Sequence, residues 1–312
     1  MTARDRRFRH ITQDQDDLGL AEGLRAMPQQ TNPTIRQRRL AAELERLREA
    51  AGLTREEIAE RLDWHATKVW RVESGRSGIS TGDLRDLLDI YQVNGPRRDA
   101  LIALARHVRQ KGWWTEYRDV LTGSYLDLEA QASMMRTYEP QLIPGLLQTE
   151  AYARAVVRAA LVMDPKEVRR RTEARMARQQ LLADDRDGPR LWVVLEEVAV
   201  QRPVGEGDTM REQLQRLIDM SEHPRVTIQV IRTSAGAHPG LSGPFVLLDF
   251  PAPEFFAPIV YLETAASGLY LEETEEVLRY TLMFDHLRAI ALGPAESVKF
   301  IQSIQSGLGS RE

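Results

Sequence analysis

The chain has 312 residues, a formal net charge of −4 and no cysteine. The missing cysteine excludes disulfides, thiolate chemistry and zinc sites built from thiolates. The length predicts two domains, and we expect a cytoplasmic protein because the sequence has no signal-peptide core and no apolar run of about eighteen residues.

Residues 1–34 come first and have no helical or strand period. Five basic and five acidic side chains cancel in this stretch, and the segment from Met27 to Pro33 interrupts any helix. A disordered tail is therefore predicted at 1–34, and a second short tail at 308–312.

Residues 35–110 predict a domain of five short helices. Apolar residues recur at helical spacing in three stretches around a central pair of helices. These stretches are Leu40, Leu44, Leu47 and Ala51 before Gly52; Leu84, Leu87, Leu88 and Tyr91 after Ser80 and Thr81; and residues 96–109, with Pro96 in the first turn.

The central pair lies between Thr54 and Arg76 and joins two short helices by a tight turn. Thr54 opens the first helix and Glu57 lies three residues further on, the arrangement of a capping box. The small side chain of Ala59 lets the second helix approach closely.

The second helix of the pair has one apolar and one basic side. Val69 and Val72 predict a buried stripe, with Lys68 and Arg71 on the opposite side. Gly75 suits the left-handed position that ends such a helix. Because a basic helix of this kind enters the major groove, the pair predicts a helix-turn-helix that binds DNA.

The local charge is compatible with DNA binding. Residues 35–78 contain ten Lys and Arg against eight Asp and Glu, a net charge of +2, which leaves about −6 elsewhere. So small an excess fits a DNA-binding protein that needs a second subunit for affinity, and a homodimer is therefore expected.

The stretches AGLTREEIAERL and KVWRVESGR resemble the XRE-type helix-turn-helix regulators. In that family the first half of the second helix meets base edges. The resemblance therefore places five residues in or near the groove: Ala66, Thr67, Lys68, Trp70 and Arg71.

Individual contacts follow from the chemistry of these side chains. Arg71 is expected to pair with guanine O6 and N7, and Lys68 with guanine or a phosphate. Thr67 and Ala66 suit a thymine methyl group, and Arg55 is expected to meet a phosphate.

Two departures from the XRE pattern, at Trp70 and His65, and the role of Arg76 leave alternatives open. Trp70 either contacts DNA or folds back on Trp64, and Arg76 either contacts a phosphate or remains in solvent. His65 stands where the family usually has a capping residue, so the start of its helix is expected to depend on Asp63 instead.

Residues 111–307 predict an α+β domain with a small sheet covered by helices. Four β-branched runs predict strands: LWVVLEEVAV, VTIQVIR, GPFVLLDF and PIVYLET. The predicted helices cover 126–138, 146–160, 165–182 (with Asp164 as cap and Pro165 in the first turn), 208–220, 272–291 and 295–306. The whole chain is thus predicted to be mainly α with α+β.

This second region also carries a resemblance, in GWWTEYRDVLTGSYLDLEAQASMMRTYEPQLIPGLLQTEAYARAV and in RMARQQLL, GLSGPFVLLDF and GLYLEE. It is very similar to a C-terminal domain of actinobacterial regulators of the WhiJ-like, antitoxin-like type. The resemblance implies a small companion protein encoded nearby as a binding partner, and implies no chemistry for the domain.

An enzyme is not expected, nor is any cofactor or metal. The candidate catalytic groups are Glu196 and Glu197 on one strand, His238 in a glycine-rich loop, and Glu263 at a strand end. Neighbours on a strand face opposite ways, and a lone histidine in such a loop is more typical of a surface turn. The loop from His238 to Gly243 could still border a ligand pocket.

Two conspicuous clusters have a structural interpretation. Five arginines on one helix predict a solvated face, with a partner surface as the alternative: Arg169, Arg170, Arg171, Arg175 and Arg178. Trp113, Trp114 and Tyr117 are expected to seal the junction between the domains, with an aromatic cage as the alternative.

The sequence therefore predicts a dimeric, sequence-specific transcriptional regulator that occupies an operator and is controlled through its C-terminal domain by the companion. A small-molecule-responsive regulator is the alternative, and an enzyme tethered to DNA is a third, less favoured hypothesis.

Overall fold

The computed structural model describes residues 35–109, 116–117, 125–183, 188–251, 256–264 and 267–308. The predicted tail at 1–34, residues 309–312 of the second tail, and Trp113 and Trp114 lie outside the described residues. Within the described ranges, no helix combines the length and apolarity needed to cross a membrane.

The N-terminal region is a bundle of five helices, as predicted. They are α1 (Ile35–Ala50), α2 (Arg55–Leu62), α3 (Ala66–Glu73), α4 (Thr81–Ile90) and α5 (Gly95–Arg109). Their apolar faces meet in one core that includes Leu44, Ile58, Val69, Leu84 and Leu101. Burial of these faces stabilises helices that are too short to persist alone.

Local contacts set the ends of α2 and α3. Thr54 and Glu57 form the predicted capping box: the Thr54 amide donates to Glu57 Oε2 over 2.8 Å, and the Glu57 amide donates to Thr54 Oγ1 over 3.2 Å. Asp63 ends α2 in the left-handed conformation at φ 52°, and Gly75 follows α3 at φ 68°. The tight turn between the two helices therefore depends on a non-glycine residue in a conformation that most side chains avoid.

The C-terminal region combines seven further helices with a six-stranded sheet among the described residues. The helices are α6 (Tyr125–Glu129), α7 (Glu150–Ala159), α8 (Pro165–Arg178), α9 (Glu197–Gln201), α10 (Thr209–Ser221), α11 (Thr274–Ile290) and α12 (Pro294–Leu308). The strands are β1 (Met134–Glu139), β2 (Arg190–Glu196), β3 (Val226–Ile231), β4 (Phe245–Asp249), β5 (Ile259–Glu263) and β6 (Gly268–Leu271).

The sheet has the strand order β3-β2-β1-β4-β5-β6, with two parallel and three antiparallel strand pairings. β1, β2 and β3 run parallel, with Thr137 opposite Val193 and Val193 opposite Ile228. β4 runs antiparallel to β1, and β5 and β6 continue as an antiparallel meander.

Helices cover both faces of this sheet. The first face, which carries Met135, Val193 and Ile228, packs against α7, α10, α12 and the turn at Gly145–Leu147. The second face, which carries Tyr138, Val194 and Phe245, packs against Phe284 and other residues of α11. The predicted α+β architecture is confirmed, with more strands than the sequence indicated.

Two secondary-structure predictions in this region are wrong, and one strand was missed. The helix predicted over 126–138 is a short helix followed by β1, because residues 134–139 pair with both β2 and β4. β6 was not predicted. Glu197 does not continue β2 but begins α9, so Glu196 and Glu197 are not neighbours on a strand.

One side chain of α1 links the two regions. The Arg39 guanidinium donates to the Ala257 carbonyl over 2.7 Å and to Glu272 Oε2 over 3.3 Å, and it lies 5.0 Å from the centre of the Phe250 ring. The helix that packs beside α3 therefore also contacts the C-terminal region.

Candidate DNA-binding interface and interior cavity

The outer face of α3 presents three exposed side chains at helical spacing. Thr67, Trp70 and Arg71 lie on this face, while Val69 and Val72 on the opposite side are buried in the helical core. The face therefore points away from the domain, which is the orientation that groove binding requires.

Arg71 is the least constrained cation on this face. Its side chain is exposed, and among the described residues it has neither an ion pair nor a side-chain hydrogen bond. A guanidinium in this state keeps all its donors for an external acceptor such as a guanine edge.

Lys68 lies at the border of the face and is partly engaged. Its ammonium lies 3.6 Å from the centre of the Trp64 ring and 3.3 Å from Asp83 Oδ2 near the start of α4. These two interactions are weak because Trp64 and Asp83 are half exposed, so DNA could displace both side chains from Lys68. Ala66, just before it, is half-buried and packs against the helical core.

Trp70 is 39% exposed and meets Arg76 rather than Trp64. The Arg76 guanidinium lies 4.7 Å from the centre of the Trp70 ring. Of the two alternatives for Trp70, the fold-back onto Trp64 is not observed among the described rings, and the side chain stays on the outer face. Stacking also positions Arg76 beside that face.

Arg55, predicted to meet a phosphate, is held by two carboxylates. It donates to Glu73 Oε2 over 2.7 Å and to Glu45 Oε1 over 2.6 Å. Arg48 donates to the other oxygen of Glu73 over 2.8 Å. The Glu73 carboxylate is almost fully buried, and its hydrogen bond is the largest cause that raises the pKa of Arg55.

This ion network was not predicted from the sequence. It ties α1, α2 and α3 together through Glu73, which is 6% exposed. An acidic residue on the predicted buried side of α3 was the available signal, since a buried carboxylate requires a partner.

His65 caps α3 only through its backbone. It adopts an extended conformation at the N-cap and its side chain makes no capping hydrogen bond. Asp63 does not replace it, because Asp63 serves as the C-cap of α2. The expected dependence of the helix start on Asp63 is therefore wrong.

In the C-terminal region, His238 is not a surface turn residue. Its side chain is 4% exposed, and its Nε2 lies 3.0 Å from Glu196 Oε1. The Tyr138 hydroxyl donates to the same oxygen over 2.9 Å, and burial raises the pKa of that hydroxyl. The Nδ1 atom of His238 is buried without a hydrogen-bond partner among the described residues.

The five arginines of α8 do not form one solvated face. Arg178 donates two hydrogen bonds to the fully buried Glu129 carboxylate, at 2.5 and 2.7 Å. Arg175 donates to Gln148 Oε1 over 3.0 Å, and Arg170 lies over the Tyr117 ring. Arg169 is exposed. The prediction of a solvated face is therefore wrong for Arg175 and Arg178.

Arg175 and Arg178 line a cavity of about 280 Å³ between α8 and the first face of the sheet. Its other charged lining residues are Glu129, Glu139 and Glu263, and the rings of Tyr125 and Tyr261 form part of the wall, with centroids 4.2 Å apart. Burial, and then the Glu263 carboxylate, raise the pKa of Glu139 to about 8. The loop from His238 to Gly243, expected to border a pocket, does not line this one, but its Pro239 lines a separate pocket along α11.

No group of three or more His, Cys, Asp or Glu side chains with the geometry of a metal site occurs among the described residues. The lining of the cavity is instead polar: it carries charged groups of both signs and an aromatic wall.

Comparison with known families identifies both regions. Residues 39–101 match a helix-turn-helix domain, the class that the geometry of α2 and α3 defines. Residues 122–303, more than half of the chain, match the domain of unknown function DUF5753. The protein belongs to the DUF5753 family. Neither a curated protein nor a solved structure matches the chain.

The helix-turn-helix match supports a DNA-binding regulator and points away from an enzyme. It covers α2, α3 and every residue predicted to contact DNA, from Arg55 to Arg76.

Proposed function

We propose that the protein is a sequence-specific transcriptional regulator that binds its operator with the outer face of α3. The observation that carries this proposal is the exposed Arg71, which has no partner in the part of the chain that the structure describes, on a helix whose opposite side is buried. Thr67, Lys68 and Trp70 complete the contact surface, and Arg76 beside Trp70 is assigned to a phosphate.

The role of Arg55 in this proposal is indirect. Its guanidinium holds Glu73 of α3 in place, so it orients the helix, and only the donors that Glu73 and Glu45 leave unused would reach a phosphate.

We further propose that the regulator acts as a homodimer. The net charge of +2 over residues 35–78 is small for a DNA-binding domain, and two copies on a two-fold operator would double the phosphate contacts. Light scattering of the purified protein at micromolar concentration measures its mass. A monomer that still binds the operator with full affinity would contradict the dimer.

The C-terminal domain is proposed as the controlling element, with a small companion protein as its partner. This part rests on the resemblance to WhiJ-like and antitoxin-like regulators of actinobacteria. The cavity between α8 and the sheet favours a second candidate, in which a small molecule controls operator binding.

Fluorescence anisotropy with a duplex of the protein's own promoter tests DNA binding. Measurements across a salt series, with unlabelled competitor DNA and with or without the product of an adjacent small gene, separate specific from non-specific binding. Binding that responds to the companion supports companion control, and binding that ignores it favours the small-molecule candidate.

Arg71→Ala tests the assignment of the contact face. We expect a loss of about 1–3 kcal/mol in operator binding and relaxed specificity at one base pair. Arg169→Ala removes an equally exposed arginine from α8 and should leave operator binding unchanged. If Arg71→Ala binds the operator as well as the natural protein, α3 does not read the DNA through Arg71.

A further inference from the structure

The cavity between α8 and the sheet contains one more carboxylate than it has guanidinium groups. Its lining has three acidic side chains, Glu129, Glu139 and Glu263, and two basic ones, Arg175 and Arg178. Glu129 and Arg178 neutralise each other in a bidentate pair. The remaining charges are those of Glu139, Glu263 and Arg175.

Glu139 is the group whose charge is left unmatched. It lies at the end of β1, on the first face of the sheet, and among the described residues it takes part in no ion pair or hydrogen bond of its side chain. Burial lowers the pKa of Arg175 and the charge of Glu263 opposes that shift, but among the described residues Arg175 forms no ion pair with either remaining carboxylate. The carboxyl group of Glu139 therefore faces the cavity without an ion pair, although the charge of Arg178 acts on it.

We propose that this cavity binds a small organic amine whose ammonium group pairs with the Glu139 carboxylate. An ammonium supplies the positive charge that an ionised Glu139 requires, together with donors for both Glu139 and Glu263. The Tyr125 and Tyr261 rings offer faces to a cation or to the apolar part of the ligand. Among the described residues Arg175 donates to Gln148 alone, so it keeps donors for a polar group elsewhere on the ligand.

The protonation of Glu139 makes the affinity of the cavity for an amine depend on pH. Burial and the charge of Glu263 raise the pKa of Glu139 to about 8, and the charge of Arg178 opposes that rise. Tyr152 and Tyr138 also lie within its electrostatic reach, and both stay protonated because burial raises their pKa values. At pH 7 the empty site therefore holds a proton on Glu139, and an ammonium ligand would release it.

This inference deepens the small-molecule candidate by naming the class of ligand, and it is tested without DNA. A failure of amine binding is thus separate from a failure of operator binding. The probes are n-butylamine, 2-phenylethylamine and 1,5-diaminopentane, with n-butanol and 2-phenylethanol as uncharged counterparts.

Thermal unfolding of the full chain, with each probe at about 10 mM, gives the first readout. We expect at least one amine to raise the melting temperature while its alcohol does not. Isothermal titration of that amine, in buffers of different ionisation enthalpy at pH 7, should show about one proton released per ligand. Its affinity should rise about tenfold from pH 6 to pH 7.

Glu139→Gln keeps the shape of the side chain and removes its charge, so it should abolish both the stabilisation and the proton release. Glu212→Gln, at an exposed position of α10, is the matched control and should bind like the natural protein. Because Glu139 has no partner to lose among the described residues, its replacement is expected to leave the domain folded, which circular dichroism checks.

Three results would overturn the proposal. The first is that no amine in the panel stabilises the protein more than its alcohol. The second is equal stabilisation of Glu139→Gln. The third is binding of Nα-acetyl-lysine amide, through its ε-ammonium group, without binding of any of the three amines in the panel, which would assign the site to a lysine side chain of another protein.

Discussion

The two regions of this protein treat charge in opposite ways. In the helical region the buried Glu73 carboxylate pairs with Arg48 and Arg55, whereas the exposed Arg71 has no ion pair or side-chain hydrogen bond among the described residues. In the C-terminal region a buried pair, Glu129 and Arg178, lies beside Glu139, which forms no ion pair among the described residues. We propose that each unpaired group marks the place where an external partner binds. For the first region that place is the outer face of α3, and for the second it is the cavity beside α8.

The largest effect on stability is expected when the ion network around Glu73 in the helical region is broken. Glu73→Gln removes the nearest counter-charge of Arg48, whose side chain is only 10% exposed, and leaves it only the more distant carboxylates of Glu45 at 3.8 Å and Glu49 at 3.7 Å among the described residues. We expect a loss of about 3–5 kcal/mol in the free energy of unfolding of this region. Urea denaturation followed by tryptophan fluorescence measures it, and Glu60→Gln on the exposed side of α2 is the control. A loss no larger than that of the control would mean that the network is not buried in solution.

The matched pair of the C-terminal region gives the next effect. Glu129→Gln removes the carboxylate that accepts two hydrogen bonds from Arg178. We expect a loss of about 3 kcal/mol, measured by chemical denaturation of the full chain. Stability equal to that of the natural protein would show that Arg178 finds another acceptor in the cavity.

Glu139→Gln should act in the opposite direction. Because the pKa of Glu139 is raised from 4.5 to about 8, the folded state holds this proton more tightly than the unfolded state does. The natural protein therefore loses stability as the pH rises through that window, and the variant does not. At pH 8 we expect the variant to be more stable by about 1 kcal/mol or more, with the difference vanishing near pH 4. Parallel pH profiles of melting temperature would contradict the raised pKa.

A smaller effect is expected for Arg76→Ala. If Arg76 contacts a phosphate, the variant binds operator and non-specific DNA less tightly by a similar factor, and the salt slope falls by about 1. This uniform loss differs from the loss of specificity expected for Arg71→Ala. An unchanged salt slope would place Arg76 in solvent, with only Trp70 as its partner.

The smallest effect is expected from deletion of residues 1–30. Their five basic and five acidic side chains cancel, so operator affinity should barely change. Anisotropy titrations of the shortened and full-length chains make the comparison. A loss of about tenfold would show that this segment contacts DNA.

The features that the sequence predicted correctly are determined by neighbours along the chain. The capping box of Thr54 and Glu57, the buried stripe of Val69 and Val72, and the left-handed Gly75 all depend on residues within a few positions. Helical spacing and cap chemistry record such contacts directly. The helical region was therefore predicted with five helices in the right places.

The features that it missed depend on distant partners. The segment 134–139 became β1 because β2 and β4 lie on either side of it, and strand pairing outweighs local preference. The buried side chain of His238 contacts Glu196. Arg178 donates to Glu129, which lies 49 positions away in the sequence. No spacing rule reveals such pairs, so the cavity was not predicted.

The shared carboxylate of Glu73 also determines what a genetic screen for operator-binding mutants will collect. We expect substitutions at Arg55 and at Arg71 both to weaken operator binding, although only Arg71 belongs to the proposed contact face of α3. The two kinds of lesion differ in how they are suppressed. A defect at Arg55 is correctable by a second change within the protein, at Glu73 or Glu45, that restores the packing of α3. For a defect at Arg71 we expect a compensating base change in the operator, and a second change at Glu73 or Glu45 should not correct it.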